Sequence, residues 1–244
     1  MNNIFLCGSS KLLNLLIPIF QAYGDYEKLI VIASDEQEEV TFRGKIHLVK
    51  NQDDTETVIK KNYDSLNDFL ISAYWPWKFT NKIVDIFPKN SINFHPSPLP
   101  KDKGWYPHVH QIRENTLSGV TLHKISEKLD EGEIWAQNTF NIPFPITAGQ
   151  AYEILIKEIV NLFHENWENI RNCKIKSKVQ NGNGNFLSKY AIKTPEIQNI
   201  TVENENLLRL LSSRNVGNKS YIKIRSSSGT DKFINITYSD NGLI

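Results

Sequence analysis

The first apolar run, Ile4-Phe5-Leu6-Cys7, is continuous and stops at Gly8-Ser9-Ser10, which predicts a buried strand followed by a turn. From Lys11 to Ala22 the apolar positions recur at helical spacing. Leu29 to Ala33 reads as a second strand and Ile46 to Val49 as a weaker third. Phe69-Leu70-Ile71-Ser72-Ala73 is a further strand that ends at Tyr74-Trp75-Pro76-Trp77, and a helix is expected from Thr80 to about Phe87. Ser91 to Phe94 is the next strand. Strands alternating with helices imply an α/β fold built on a doubly wound, mostly parallel sheet.

Gly119 to Ile125 and Glu133 to Ile142 predict two later strands framing a turn at Asp130. Ala148 to Asn172 then reads as a long helix, with Tyr152, Leu155, Ile159, Leu162 and Phe163 at helical spacing, covering one face of the sheet. Lys174 to Asn185 is basic, polar and rich in Gly and Asn, the composition of an exposed linker or loop. A helix from Glu203 to Ser213 and two strands, Tyr221 to Arg225 and Phe233 to Tyr238, follow as a small α+β appendage. The expected division is a main domain over residues 1–175 and a small carboxyl-terminal subdomain over 186–244.

At 244 residues and 40% hydrophobic content, the chain is long enough for one good core and a small second unit. A net charge of +1 argues against a surface devoted to phosphate backbones, so nucleic acid is not expected as a partner. Two cysteines, Cys7 and Cys173, make no disulfide framework and point to a reducing, cytoplasmic setting. Leu12 to Phe20 is apolar but too short to span a bilayer, and no membrane association is expected.

Chemistry concentrates in three segments. Ile92 and Phe94 alternate with Ser91, Asn93 and His95, which places Asn93 and His95 on one face at the strand's carboxyl end. Pro96, Pro98 and Pro100 forbid a central strand, so the chain leaves the sheet there, in the region where open α/β sheets gather ligands. Gly119-Val120-Thr121-Leu122-His123 follows, then Leu129-Asp130-Glu131-Gly132-Glu133-Ile134. An amide, an imidazole and a carboxylate so placed suit acyl transfer. They also suit a bland role, because Asn and His cap backbone groups near Pro-rich turns and Asp-x-Gly is ordinary turn chemistry. Gly8-Ser9-Ser10 lacks both common nucleotide-loop patterns. His108 and His110 flank Val109, yet no Cys or carboxylate completes a set at familiar zinc spacing, so no metal is expected. For His123 a packing or surface role is expected.

Taken in order, Asn93-x-His95-Pro-Ser-x-Leu-Pro, the Gly-Val-Thr-Leu-His strand and Leu-Asp-x-Gly-x-Ile resemble the folate-dependent formyltransferases over roughly residues 1 to 170. Ser97-Pro98-Leu99-Pro100 departs from the usual Ser-Leu-Leu-Pro of that family. The resemblance implies a Rossmann-like formyltransferase fold, N10-formyltetrahydrofolate as co-substrate, and Asn93, His95 and Asp130 as the catalytic set. In such a set the Asn amide donates to the developing oxyanion, the His accepts or donates the proton of the amine, and the Asp orients and polarises the His. The folate ring would lie beside the His95 loop, with Tyr74, Trp75, Pro76 and Trp77 as its wall.

The length, the Gly119 to His123 strand and the Glu131 to Gln137 stretch look closest to the bacterial sugar N-formyltransferases, which implies a nucleotide-linked amino sugar as acceptor and a homodimer. The expected acceptor is dTDP-4-amino-4,6-dideoxyglucose, destined for surface polysaccharide. Lys78, Lys101, Lys103 and Arg209 are candidates for its diphosphate, and Trp105, Tyr106 and Tyr221 for its base and pocket. The alternatives are a trimmed methionyl-tRNA formyltransferase and a non-catalytic folate or nucleotide-sugar binding protein.

Overall fold

Alternate side chains of one apolar strand feed two separate cores, which explains why the run at the start of the chain carries no polar positions. The computed structural model describes residues 2–34, 39–190, 205–216, 219–220, 223–225 and 231–233. In β1 (Ile4–Gly8), Ile4 and Leu6 face a core formed with α1 (Ser10–Ala22) and α5 (Ala148–Arg171). Phe5 and Cys7 face a second core with Ile59, Phe79, Ile83 and Phe87. Each is a layer of helix on sheet, so every residue of β1 is buried.

The remaining strands of the main sheet are β2 (Leu29–Ala33), β3 (Ile46–Leu48), β4 (Phe69–Ala73), β5 (Ser91–His95), β7 (Ser118–His123) and β8 (Ile134–Phe140); the short β6 (Lys103–Gly104) lies outside it. Their order is β3-β2-β1-β4-β5-β7-β8. The first five in that order pair in parallel, while β7 pairs antiparallel with both β5 and β8. The strand order reverses direction between β1 and β4, and the carboxyl ends there open a crevice of the kind that holds ligands in α/β sheets.

Two helices were absent from the expectation. α2 (Gln52–Asn62) buries only Thr55, Glu56 and Ile59, too few apolar positions for a periodic signal, and starts on Asn51, whose side chain accepts from the Asp54 N–H at 2.8 Å. α4 (Pro107–Glu114) opens with Pro at its first position, where a missing N–H costs nothing. The helix expected over Thr80 to Phe87 is confined to α3 (Asn81–Val84). Thr147 and Gln150 form a reciprocal capping box at the start of α5.

The stretch over 174–185 is exposed, as its composition suggests, yet it is tied down. Lys178 exchanges backbone hydrogen bonds with Ile134, at 2.7 and 2.8 Å, and β9 (Phe186–Leu187) pairs in parallel with β6. Beyond it α6 (Glu205–Ser213) packs on α4, and two short antiparallel pairs follow: β10 (Asn215–Val216) with β11 (Lys219–Ser220), and β12 (Lys223–Arg225) with β13 (Asp231–Phe233). Glu203, Tyr221 and the part of the expected last strand beyond Phe233 lie outside the described residues.

Candidate active site

Strand pairing brings the first two site residues together. β5 and β7 are antiparallel with Asn93 opposite His123, so the two side chains share a face at short range. The third enters from the β7–β8 connection, where Asp130 has φ +56. That turn depends on Gly132: a Cβ there would lie 1.8 Å from the carbonyl oxygen of Lys124.

The hydrogen bonds fix which atoms carry protons. The carbonyl of Lys124 lies 2.7 Å from His123 Nδ1 and can only accept, so Nδ1 bears the proton. In a neutral ring Nε2 then accepts, and it takes an N–H from Asn93 Nδ2 at 2.9 Å. The second N–H of Asn93 reaches Asp130 Oδ1 only at 3.4 Å. In the same way the carbonyl of Asp102, 2.9 Å from His95 Nε2, makes His95 an Nε2–H tautomer. Its unprotonated Nδ1 lies 3.5 Å from Asp130 Oδ2, which also accepts the Gly104 N–H at 2.9 Å.

Burial holds His95 below the ordinary histidine value, with Asp130 offsetting part of the effect. Asp130 is pulled both ways: burial raises its carboxyl, but His95, His123 and the Gly104 N–H outweigh it and bring it to about 2. Near neutral pH the pair is therefore an uncharged imidazole beside a carboxylate, with room for one proton between them.

Asn93, His95, His123 and Asp130 line a cleft of about 470 Å³, within the ordinary range for small-molecule sites. Tyr74, Trp75, Pro76, Trp77 and Lys78 form one wall, with the Trp75 and Trp77 rings edge to face at 5.2 Å. Trp105 and Tyr106 also reach the cleft. Tyr74 Oη, Trp75 Nε1 and His108 Nδ1 are buried without hydrogen-bond partners. A flat ring bearing polar edge atoms would satisfy such groups, so the wall fits a folate.

Not every candidate is there. Lys101 is exposed outside the cleft, and Lys103, also outside it, pairs with Glu131 at 2.9 Å. Arg209 stacks 4.1 Å over the Phe144 ring beside α4, away from the cleft. Conversely, His123, His108 and Tyr152 belong to the cleft and were not foreseen as site residues. His108 and His110 are two residues apart on a helix, so they diverge: His108 stands against the Tyr152 ring at 5.5 Å, while His110 meets Arg113.

The sequence profile described as formyl transferase matches residues 25–165, more than half of the chain. The chain belongs to that family. Among curated proteins, this formyl transferase relative is 30% identical to dTDP-4-amino-4,6-dideoxyglucose formyltransferase of Mycobacterium tuberculosis over 119 residues, 49% of this chain and 50% of that one. It is 32% identical to methionyl-tRNA formyltransferase of Borrelia hermsii over 141 residues, 56% of this chain and 44% of that one. The matched stretch thus spans about half the length of these relatives or less. In fold it is similar to a 4-N formyltransferase from Francisella tularensis, with TM-score 0.81 and 20% identity over 98% of both chains. It is also similar to an N-formyltransferase from Helicobacter canadensis, solved with folinic acid and dTDP-3-aminofucose, with TM-score 0.71 and 21% identity over 87% of this chain and 80% of that one.

Proposed function

We propose that the protein is a sugar N-formyltransferase that moves a formyl group from N10-formyltetrahydrofolate to the amine of a nucleotide-linked amino-deoxy sugar. The observation that carries this reading is the meeting of Asn93, His95 and Asp130 in the cleft, an uncharged imidazole beside a carboxylate and under an amide donor. When bound, the folate supplies an activated formyl carbon.

The chain's own groups divide the remaining work. As the acceptor amine forms its new C–N bond it sheds one proton, and His95 Nδ1 is the vacant base that takes it. The imidazolium so formed points its Nδ1–H at Asp130 Oδ2, which stabilises the charge. His95 then returns the proton to the departing nitrogen, leaving the enzyme unchanged. Asn93 keeps one N–H on His123 and turns the other, which Asp130 holds only weakly at 3.4 Å, toward the oxygen that gains negative charge. Tyr74 to Trp77 hold the folate ring, and exposed Lys78 at the mouth of the cleft meets the acceptor's diphosphate.

The favoured acceptor is dTDP-4-amino-4,6-dideoxyglucose, for surface polysaccharide; the mycobacterial likeness supports it. Cytoplasmic residence and a homodimer belong to the same proposal. Methionyl-tRNA is the second reading, supported by the likeness to the spirochaete enzyme. The test is incubation with N10-formyltetrahydrofolate and a panel of dTDP- and UDP-linked amino sugars and methionyl-tRNA, with His95→Ala as control. A His95-dependent formyl mass gain on one sugar is expected. Gain on methionyl-tRNA alone moves the protein to translation, and none on any acceptor leaves a binding role.

A further inference from the structure

The segment after the long helix touches the two residues that carry the proton, and it does so through their backbone neighbours. Asn185 brackets Asp102: its Oδ1 accepts the Asp102 N–H at 2.7 Å and its Nδ2 donates to Asp102 Oδ1 at 2.9 Å. Its own carbonyl accepts the next N–H along, that of Lys103, at 3.1 Å. Asp102 sits at φ +56, in the left-handed region that aspartate tolerates better than most residues, and the Asn185 bonds fix it there. The carbonyl of this residue receives the His95 Nε2–H. Gln180, on the same segment, donates through Nε2 to the carbonyls of Asp130 and Gly132, both at 2.8 Å, and so spans the turn that presents the carboxylate. Parallel pairing of β9 with β6 fastens the end of this strap, and the close approach requires Gly104, where a Cβ would lie 2.4 Å from the Leu187 carbonyl oxygen.

We propose that residues 178–187 form a positioning strap, in which Asn185 sets the tautomer of His95 through the Asp102 carbonyl and Gln180 sets the placement of Asp130. The catalytic half of this inference rests on the formyl-transfer reading; the structural half does not. The tautomer decides the chemistry. With its proton on Nε2, His95 offers an empty Nδ1 beside Asp130. Were the proton on Nδ1, the ring would already donate to Asp130 and would have no base in that position, while the Nε2 lone pair would oppose the lone pairs of the Asp102 carbonyl. Holding the Asp102 carbonyl in place therefore keeps the base empty.

The experiment combines ring ¹⁵N NMR of the full-length protein with steady-state kinetics. The His95 signals are assigned by their loss in His95→Gln. The wild type is expected to show the Nε2–H form. Asn185→Ala is expected to move His95 toward the Nδ1–H form and to lower kcat about 10- to 100-fold with acceptor KM unchanged, the scale of a small misplacement of a catalytic group. Asn185→Ser serves where the alanine variant does not fold. Gln180→Ala is expected to lower kcat by a similar factor and leave the His95 tautomer alone, because it acts on Asp130. Asn181→Ala, exposed on the same strap, is expected to change neither. An Asn185 variant with wild-type His95 signals and wild-type kcat overturns the proposal, as does a rise in KM at constant kcat. A wild-type protein that formylates nothing removes the formyl-transfer reading, and the NMR comparison then decides the strap on its own.

Discussion

Substituting Gly132 by alanine probes whether Asp130 is catalytic or merely a turn residue. The added Cβ would stand 1.8 Å from the Lys124 carbonyl oxygen and 2.7 Å from its carbonyl carbon, both backbone atoms that cannot swing aside. A tolerable carbon–oxygen contact is about 3.3 Å, so the turn must shift by about 1.5 Å. The Lys124 side cannot absorb that shift alone, because the Lys124 N–H is bonded to the Glu133 carbonyl at 2.8 Å within the end of the β7–β8 pairing. The displacement therefore falls on Asp130, two residues away. A misplacement of about 1 Å in a catalytic group costs on the order of 100-fold in rate. Overpacking at a well-filled position costs roughly 1–3 kcal/mol of stability, which the two apolar cores away from this turn can absorb. We expect Gly132→Ala to fold with native circular dichroism and to lose at least about 100-fold in kcat/KM, read as formyl mass gain on the acceptor identified from the panel. A folded variant within about threefold of wild type would refute both the steric argument and the catalytic role of Asp130.

Two further expectations concern stability. His108 is buried against Tyr152, and burial lowers its pKa to about 4 from an ordinary 6.5, so the unfolded chain takes up the proton first as the medium is acidified. The stability associated with the neutral ring is complete above pH 6.5 and is lost as pH falls toward 4, by about 3 kcal/mol at the lower end. His47, His95 and His110 are shifted in the same direction and steepen the trend, whereas Asp130 contributes a change only below its ordinary value of 3.8. Urea unfolding at pH 7 and pH 4.5 should show the drop, and His108→Phe should make it smaller; equal slopes in the two proteins would contradict the assignment. Trp167 is fully buried against Phe20, Phe69 and Phe163 and donates its Nε1–H to Asp25 at 3.0 Å, so Trp167→Ala should cost about 3–5 kcal/mol in the same assay, and a loss under about 1 kcal/mol would show that this packing is not tight.

The parallel core was legible because its strands are buried on both faces. Such strands read as unbroken apolar runs ended by Gly, Pro or polar residues, and the extents expected for β2 and β4 match the structure residue for residue. The reversed direction of β7, antiparallel to both β5 and β8, was not legible, since an apolar run carries no sign of which way its neighbour points. His123 has the packing role expected of it, buried with both ring nitrogens hydrogen-bonded, and it also lines the cleft. Its role follows from standing opposite Asn93, a fact about register that composition and spacing do not encode. α2 stayed hidden for a different reason: it buries a threonine and a glutamate where a helical pattern is sought among apolar residues.

The same division runs through the site. Asn93 and His95 stand two apart on one strand, and Asp130 sits in a short motif with its own glycine, so local pattern finds them. The groups that hold them reach across the chain: His123 lies 30 residues from Asn93, Gln180 lies 50 from Asp130, and Asn185 lies 83 from Asp102. Lys103 and Arg209 lie outside the cleft for the converse reason: a cation reads as available in sequence until its distant partner, here Glu131 or the Phe144 ring, is known. What a motif states is which atoms can react. Which nitrogen of the histidine between them stands vacant is set, in the strap proposed above, by a backbone carbonyl, and that carbonyl is held by a side chain that no motif includes.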